Sequence, residues 1–155
     1  MDHSKETRFE TIELGPGVQY RYLTDDRWKT LSIDVFCKIP IAKETVTSIA
    51  MVPRLAKRGT VDLPALRDIS RRLEEMYGAG VGADATKIGP VQVVRFGIDM
   101  PSPDYIDPLL LGSNDGLNLG KAMSFIWDMA TKPYLVSGAY PDDRFEMERE
   151  EHRRD

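Results

Sequence analysis

Apolar and polar side chains alternate over residues 9–14, as they do in a strand with one face on a core, and Gly15-Pro16-Gly17 then turns the chain into a second alternating run at 18–23. The pattern predicts a β-hairpin. Asp25 and Asp26 mark the next turn, and residues 30–38 alternate again, with Leu31, Ile33, Val35 and Cys37 on one side and Ser32, Asp34 and Phe36 on the other. The opening therefore reads as a three-strand meander.

Beyond Pro40 the period lengthens. Val46, Ile49, Ala50, Leu55 and Ala56 fall at helical spacings, and Gly59 reads as the stop. Pro53 lies inside this helix, where a missing N–H typically costs about 3 kcal/mol against alanine, so a kink or break is expected. A second helix follows, with Asp62 as its cap, Pro64 in its first turn, and Leu63, Leu66, Ile69, Leu73, Met76 and Tyr77 on one face. Arg67, Asp68, Arg71, Arg72, Glu74 and Glu75 form a solvated face opposite. Residues 78–86 and 91–100 read as two more strands joined by Lys87-Ile88-Gly89-Pro90, with Gln92, Val94 and Phe96 alternating against Val91, Val93 and Arg95.

Prolines, Gly112 and Asn114 break residues 101–116 into a loop with one helical turn near Tyr105. Residues 117–131 resume a helical face of Leu119, Ala122, Met123, Ile126, Trp127 and Ala130, which Pro133 ends. Trp28 and Trp127 are expected in the core. Asp142 and Asp143 open a charged helix at 144–154 with its acids early and arginines late, as the helix dipole favours. These elements predict an α+β domain, mainly antiparallel sheet with helices packed on one face. A flexible start at 1–8 and a single domain at 9–155 are expected, the domain being one part of a longer parent protein.

A chain of 155 residues can bury roughly 70% of its unfolded surface, enough for its own core. The net charge of −4, with basic residues interleaved among acidic ones, leaves no basic stripe for nucleic acid. Cys37, the single cysteine, excludes an internal disulfide and zinc sites built on paired thiolates, and fits a cytoplasmic compartment. The first ten residues lack the apolar core of a secretory signal, and no run approaches the ~20 apolar residues needed to span a bilayer, so membrane insertion is not expected.

The residues of catalysis are scarce. His3 and His152 are the only imidazoles, one in the start and one in a charged terminal helix, where both read as solvated. No phosphate-binding loop and no Gly-x-Ser-x-Gly elbow occur. Glu74/Glu75 and Glu150/Glu151 are sequence neighbours, so each pair diverges on its helix and cannot flank one bond.

Residues 44–60, ETVTSIAMVPRLAKRGT, and 66–79, LRDISRRLEEMYGA, resemble the insulinase, pitrilysin and mitochondrial processing peptidase family, most of all its non-catalytic bacterial members. The resemblance runs over roughly residues 9–155 and extends to the order of elements. Active members carry H-x-x-E-H on the first helix, two histidines holding zinc and the glutamate acting as base on the metal-bound water. The corresponding positions here are Ala50, Pro53 and Arg54, which offer no lone pair, no base and a permanent cation. The family's third ligand, a glutamate, would correspond to the region 148–155 or just beyond it. In active relatives the strand after the second helix, often G-A-x-x-N-A, takes up substrate as an added strand. Here it reads Gly78-Ala79-Gly80-Val81-Gly82-Ala83, with Gly82 in place of asparagine.

The resemblance implies a catalytically inactive domain without cofactor, acting as partner or substrate-enclosing subunit of a zinc-bearing paralogue, or self-associating. Unstructured peptide would be received at Gly80, Val81, Gly82, Ala83 and Asp84. The alternative is a stand-alone peptide-binding or scaffold module.

Overall fold

The computed structural model describes residues 8–106 and 119–154. The chain is α+β with antiparallel sheets, built in the order β1 (Glu10–Gly15), β2 (Val18–Tyr22), β3 (Thr30–Pro40), α1 (Val46–Ala56), α2 (Leu66–Glu75), β4 (Gly80–Ile88), β5 (Val91–Pro101), a 3₁₀ turn (Pro103–Tyr105), α3 (Leu119–Thr131) and α4 (Asp142–Arg154). His3 and residues 107–116 of the expected loop lie outside the described residues.

The expected meander is two separate units. β1 and β2 pair with each other around Pro16-Gly17, where Gly17 (φ 73) supplies the positive φ that the residue after the turn's proline requires. β3 instead joins a three-stranded sheet in the order β3-β5-β4. The reason lies in β5, whose alternate residues Gln92, Val94, Phe96, Ile98 and Met100 are all buried, so that it has to run between neighbours on both sides. At the turn before β3, Asp25 accepts hydrogen bonds from the Arg27 guanidinium and backbone N–H, which hold its carboxyl at about 2.

The core forms where this face of β5 meets the helices. Ala122, Phe125, Ile126 and Met129 of α3 join Ile69, Met76, Ala83, Val94, Phe96, Ile98 and Met100 in one apolar cluster. Each large side chain closed off this way contributes roughly 1.5–3 kcal/mol. Leu31, Ile33 and Val35 pack against the cluster from β3 as the alternation predicts, but Cys37 is exposed near the strand's end. Trp28 and Trp127 are exposed at 65% and 56%, against expectation. Phe125 holds the core position on α3 instead, because the inward stripe passes through Ala122, Ile126 and Met129 and leaves Trp127 beside it.

The break allowed for at Pro53 does not occur. α1 is continuous, and the Pro53 ring is among the most completely buried side chains, so packing offsets the lost N–H. Gln92 adds a tie to this helix, donating from Nε2 to the Val46 carbonyl at 3.2 Å. The second helix begins later than its polar residues imply: its cap is Ala65, whose N–H donates to the Asp68 carboxylate at 3.1 Å, and Asp62 and Pro64 precede it. Leu66 is 49% exposed. At the other end Tyr77 (φ 57) and Gly78 (φ 75) turn the chain into β4, while the N–H groups of Gly78 and Ala79 both donate to the Leu73 carbonyl at 3.1 Å.

Gly59 closes α1 by close approach and not by a left-handed turn. A methyl group there would meet the Pro64 carbonyl oxygen at 2.6 Å and Nη1 of Arg144 at 2.8 Å. Next to it Thr60, 1% exposed, donates its backbone N–H to the Leu63 carbonyl at 2.9 Å and accepts the Leu63 N–H on Oγ1 at 3.1 Å. Its neighbours reach the segment after α3, through Val61 N–H to the Lys132 carbonyl and Tyr134 N–H to the Gly59 carbonyl. Replacing Gly59 with alanine is expected to lower stability by about 1–3 kcal/mol through overpacking; a urea midpoint unchanged from the parent's would refute this contact.

Candidate functional site

β4 pairs with β5 along one side only, which makes it an edge of the sheet among the described residues. Gly80, Val81, Gly82, Ala83 and Asp84 all lie on it. Its inner face carries Val81, Ala83 and Ala85, partly or fully buried, whereas Asp84 faces outward toward Arg95. Arg95 also donates from Nε to Asp34 at 2.7 Å, laying a guanidinium across the outer face between the two edge strands. Gly97 makes room for this pair, since a Cβ there would collide with Asp34 and Arg95. The outer face of β4 is thus charged and its inner face apolar.

Above the inner face lies a groove of about 520 Å³. α1 contributes Ala50 and Arg54, α2 contributes Leu66, Ile69 and Leu73, and α4 contributes Glu148, Glu151 and His152. Lys57 and Arg58, just past the end of α1, complete the wall. Sequence positions far apart are therefore gathered around one edge strand.

Arg58 ties the groove together. Its Nε donates to the Glu148 carboxylate at 2.5 Å, and its Nη2 approaches Glu151 at 3.3 Å. Glu148 is only 4% exposed, so its charge is tolerable there because a guanidinium meets it with directed hydrogen bonds. Arg144, in the first turn of α4, donates to the Arg58 carbonyl at 3.1 Å and the Pro64 carbonyl at 2.7 Å, and lies over the Tyr134 ring at 4.9 Å. These contacts fix α4 against the end of α1.

Of the three positions that the resemblance sets at a metal, Ala50 and Arg54 line the groove one helical turn apart. Pro53 is fully buried and is not among the residues that line the groove. A zinc ion would find no ligand from α1: Ala50 has no lone pair, Arg54 is a cation, and the buried carboxylate opposite, Glu148, already holds Arg58. Among the described residues no group of three or more His, Cys, Asp or Glu side chains converges. The residues present do not fit the metal.

The charged pattern of the last helix concealed Glu148. Spaced among Glu146, Arg149, Glu150 and Glu151, it looks solvated, yet it is the buried residue of α4. Its one sequence signal is the position it shares with Phe145 and Arg144 at the start of the helix, the face turned toward α1. His152 is exposed, as expected, although it borders the groove.

No protein-family model matches the chain. Over 127 residues, 80% of its length, the chain is 28% identical to a Bacillus subtilis (strain 168) protein named "Probable inactive metalloprotease YmfF". The chain is thus similar to a metallopeptidase-like protein held to be non-catalytic. Its fold matches the crystal structure of a conserved protein from Enterococcus faecalis V583 over 92% of the chain, with a TM-score of 0.79 and 22% identity. The chain spans 28% of the length of the first of these proteins and 32% of the second. No helix among the described residues is long and apolar enough to cross a membrane.

Removing one partner of the Glu148–Arg58 pair leaves a partly buried guanidinium short of charge. Glu148→Ala should cost roughly 2–3 kcal/mol, less than for a fully sealed pair because Arg58 keeps Glu151 and some solvent. The double replacement Arg58→Met with Glu148→Leu should recover much of the loss, and denaturation midpoints of the two variants compare the effects. A double variant as unstable as the single one would show that the pair is not what Glu148 contributes.

Proposed function

We propose that this domain is a catalytically silent, insulinase-type peptidase-like unit that helps enclose an unstructured peptide for a zinc-bearing paralogue. The observation that carries the reading is the groove itself. It combines an edge strand with an apolar inner face and a helix on which the metal positions hold Ala50 and Arg54. Backbone groups on β4 can pair with an extended peptide whatever its sequence, while Val81, Ala83 and Ala85 offer shallow apolar contact beside them. Binding without cleavage follows, because neither a base nor a metal ligand stands over that strand on α1. The similarity to a protein named as an inactive metalloprotease supports the non-catalytic part.

A stand-alone peptide-binding module is the second reading. It is favoured by the groove being assembled from α1, α2, β4 and α4 of this chain alone. The two separate in a co-expression experiment with a paralogue carrying H-x-x-E-H. A silent subunit co-elutes with the paralogue in size-exclusion chromatography and raises its turnover of a labelled unstructured peptide, whereas a stand-alone module binds the peptide and ignores the paralogue. Stoichiometric zinc in this chain, together with peptide cleavage by it alone, would sink both.

A further inference from the structure

Resting on the peptide-binding reading above, we infer that the groove selects extended peptides that carry large apolar side chains at alternate positions. Two apolar rows line it. On β4, Val81, Ala83 and Ala85 stand two residues apart on the inner face. On α2, Leu66, Ile69 and Leu73 follow the i, i+3, i+7 spacing of one helical face, and all three line the groove. Arg67, Arg71, Glu74 and Glu75 of the same stretch do not. Ile69 is buried, but Leu66 is 49% exposed, so the α2 row stays open at its first turn.

The ionic groups around these rows match in number, with Arg54, Lys57 and Arg58 set against Asp84, Glu148 and Glu151. Charge therefore leaves no net preference for either sign, and the apolar rows decide. A strand added to the open edge of β4 continues the pleat, so its alternate side chains point to the same side of the sheet as Val81, Ala83 and Ala85. Two such side chains stand about 7 Å apart, Val81 to Ala85 runs about 13 Å along β4, and Leu66 to Leu73 runs about 10 Å along α2, so two fit along the rows. The small side chains of Ala50, Ala83 and Ala85 leave room for them. Leucine or phenylalanine there would shed water against the rows, whereas serine would give up its hydrogen bonds to water.

Fluorescence anisotropy with the full chain tests this, using fluorescein-labelled unstructured peptides of one composition, Ser and Thr with two Leu. In one the leucines stand at i and i+2, on the same face of an extended chain; in the other they stand at i and i+1, on opposite faces. The first is expected to bind about tenfold tighter, because its second leucine is buried too, and the ratio should persist as salt is raised. Leu66→Ser removes a half-exposed member of the α2 row and should cut the ratio to about threefold. A thermal melt shows whether the variant stays folded, and the comparison of two peptides on the parent needs no variant. Equal binding of the two by the parent, a ratio that vanishes in salt, or an unchanged ratio in the folded variant overturns the selection and leaves the peptide-binding reading in place. Binding of neither peptide overturns both.

Discussion

A buried carboxylate has to be neutralised where it lies, and in this domain Arg58 does that for Glu148. The pair joins two elements ninety residues apart in the chain, the end of α1 and the middle of α4. Because the geometry of a guanidinium–carboxylate contact is directional, it sets where α4 sits and not only that it docks. Arg144 reinforces the same seam by reaching the carbonyls of Arg58 and Pro64, groups left without helical partners where α1 gives way to the next loop. The tight passage at Gly59 belongs to this arrangement, since the same Arg144 guanidinium and Pro64 carbonyl occupy the space a side chain would need. The groove is the space bounded by these fixed elements, so its width follows from the seam.

Much of the fold was legible because one periodic signal dominated each element. β5 is the clearest case: Gln92, Val94 and Phe96 alternate against Val91, Val93 and Arg95 in sequence and do so in space. What alternation cannot give is pairing. β3 follows β2 closely in sequence, but its partner is β5, some sixty residues later, because the most hydrophobic strand draws neighbours to both sides. The misplaced tryptophans have a similar origin. Trp127 is one residue from Ile126, and at about 100° per residue that step carries a side chain from the centre of the buried stripe to its margin. Pro53 misled in the opposite sense, as propensity describes an exposed helix while this proline is fully buried, where tertiary contacts outweigh the missing donor.

The candidate site divides along the same line. Ala50, Arg54 and the strand carrying Gly80 to Asp84 were visible through the spacing of a recognisable motif and its loss. Arg58 and Lys57 were not, and Glu148 was reached only as one end of the window 148–155, because nothing in a run of alternating acids and arginines marks the one carboxylate that turns inward. Burial of a charge depends on where its counter-charge lies in space, and that is a property of the assembled fold.

What stands at the positions that the resemblance sets at a metal is more than an absence of ligands. A helix that lies over an edge strand and turns a guanidinium toward the groove has no lone pair to offer a metal ion there. Simple decay of a catalytic motif would leave neutral side chains there as readily as charged ones, and Ala50 fits that description. Arg54 does not, since a long cation at the mouth of an apolar groove bears a desolvation cost unless it is matched by acids or by solvent. Arg54 is partly exposed where it borders the groove, while the α4 carboxylates Glu148 and Glu151 meet Arg58. On the proposed peptide-binding reading, sheet edge and apolar floor would act on one ligand together, with backbone pairing supplying affinity without regard to sequence.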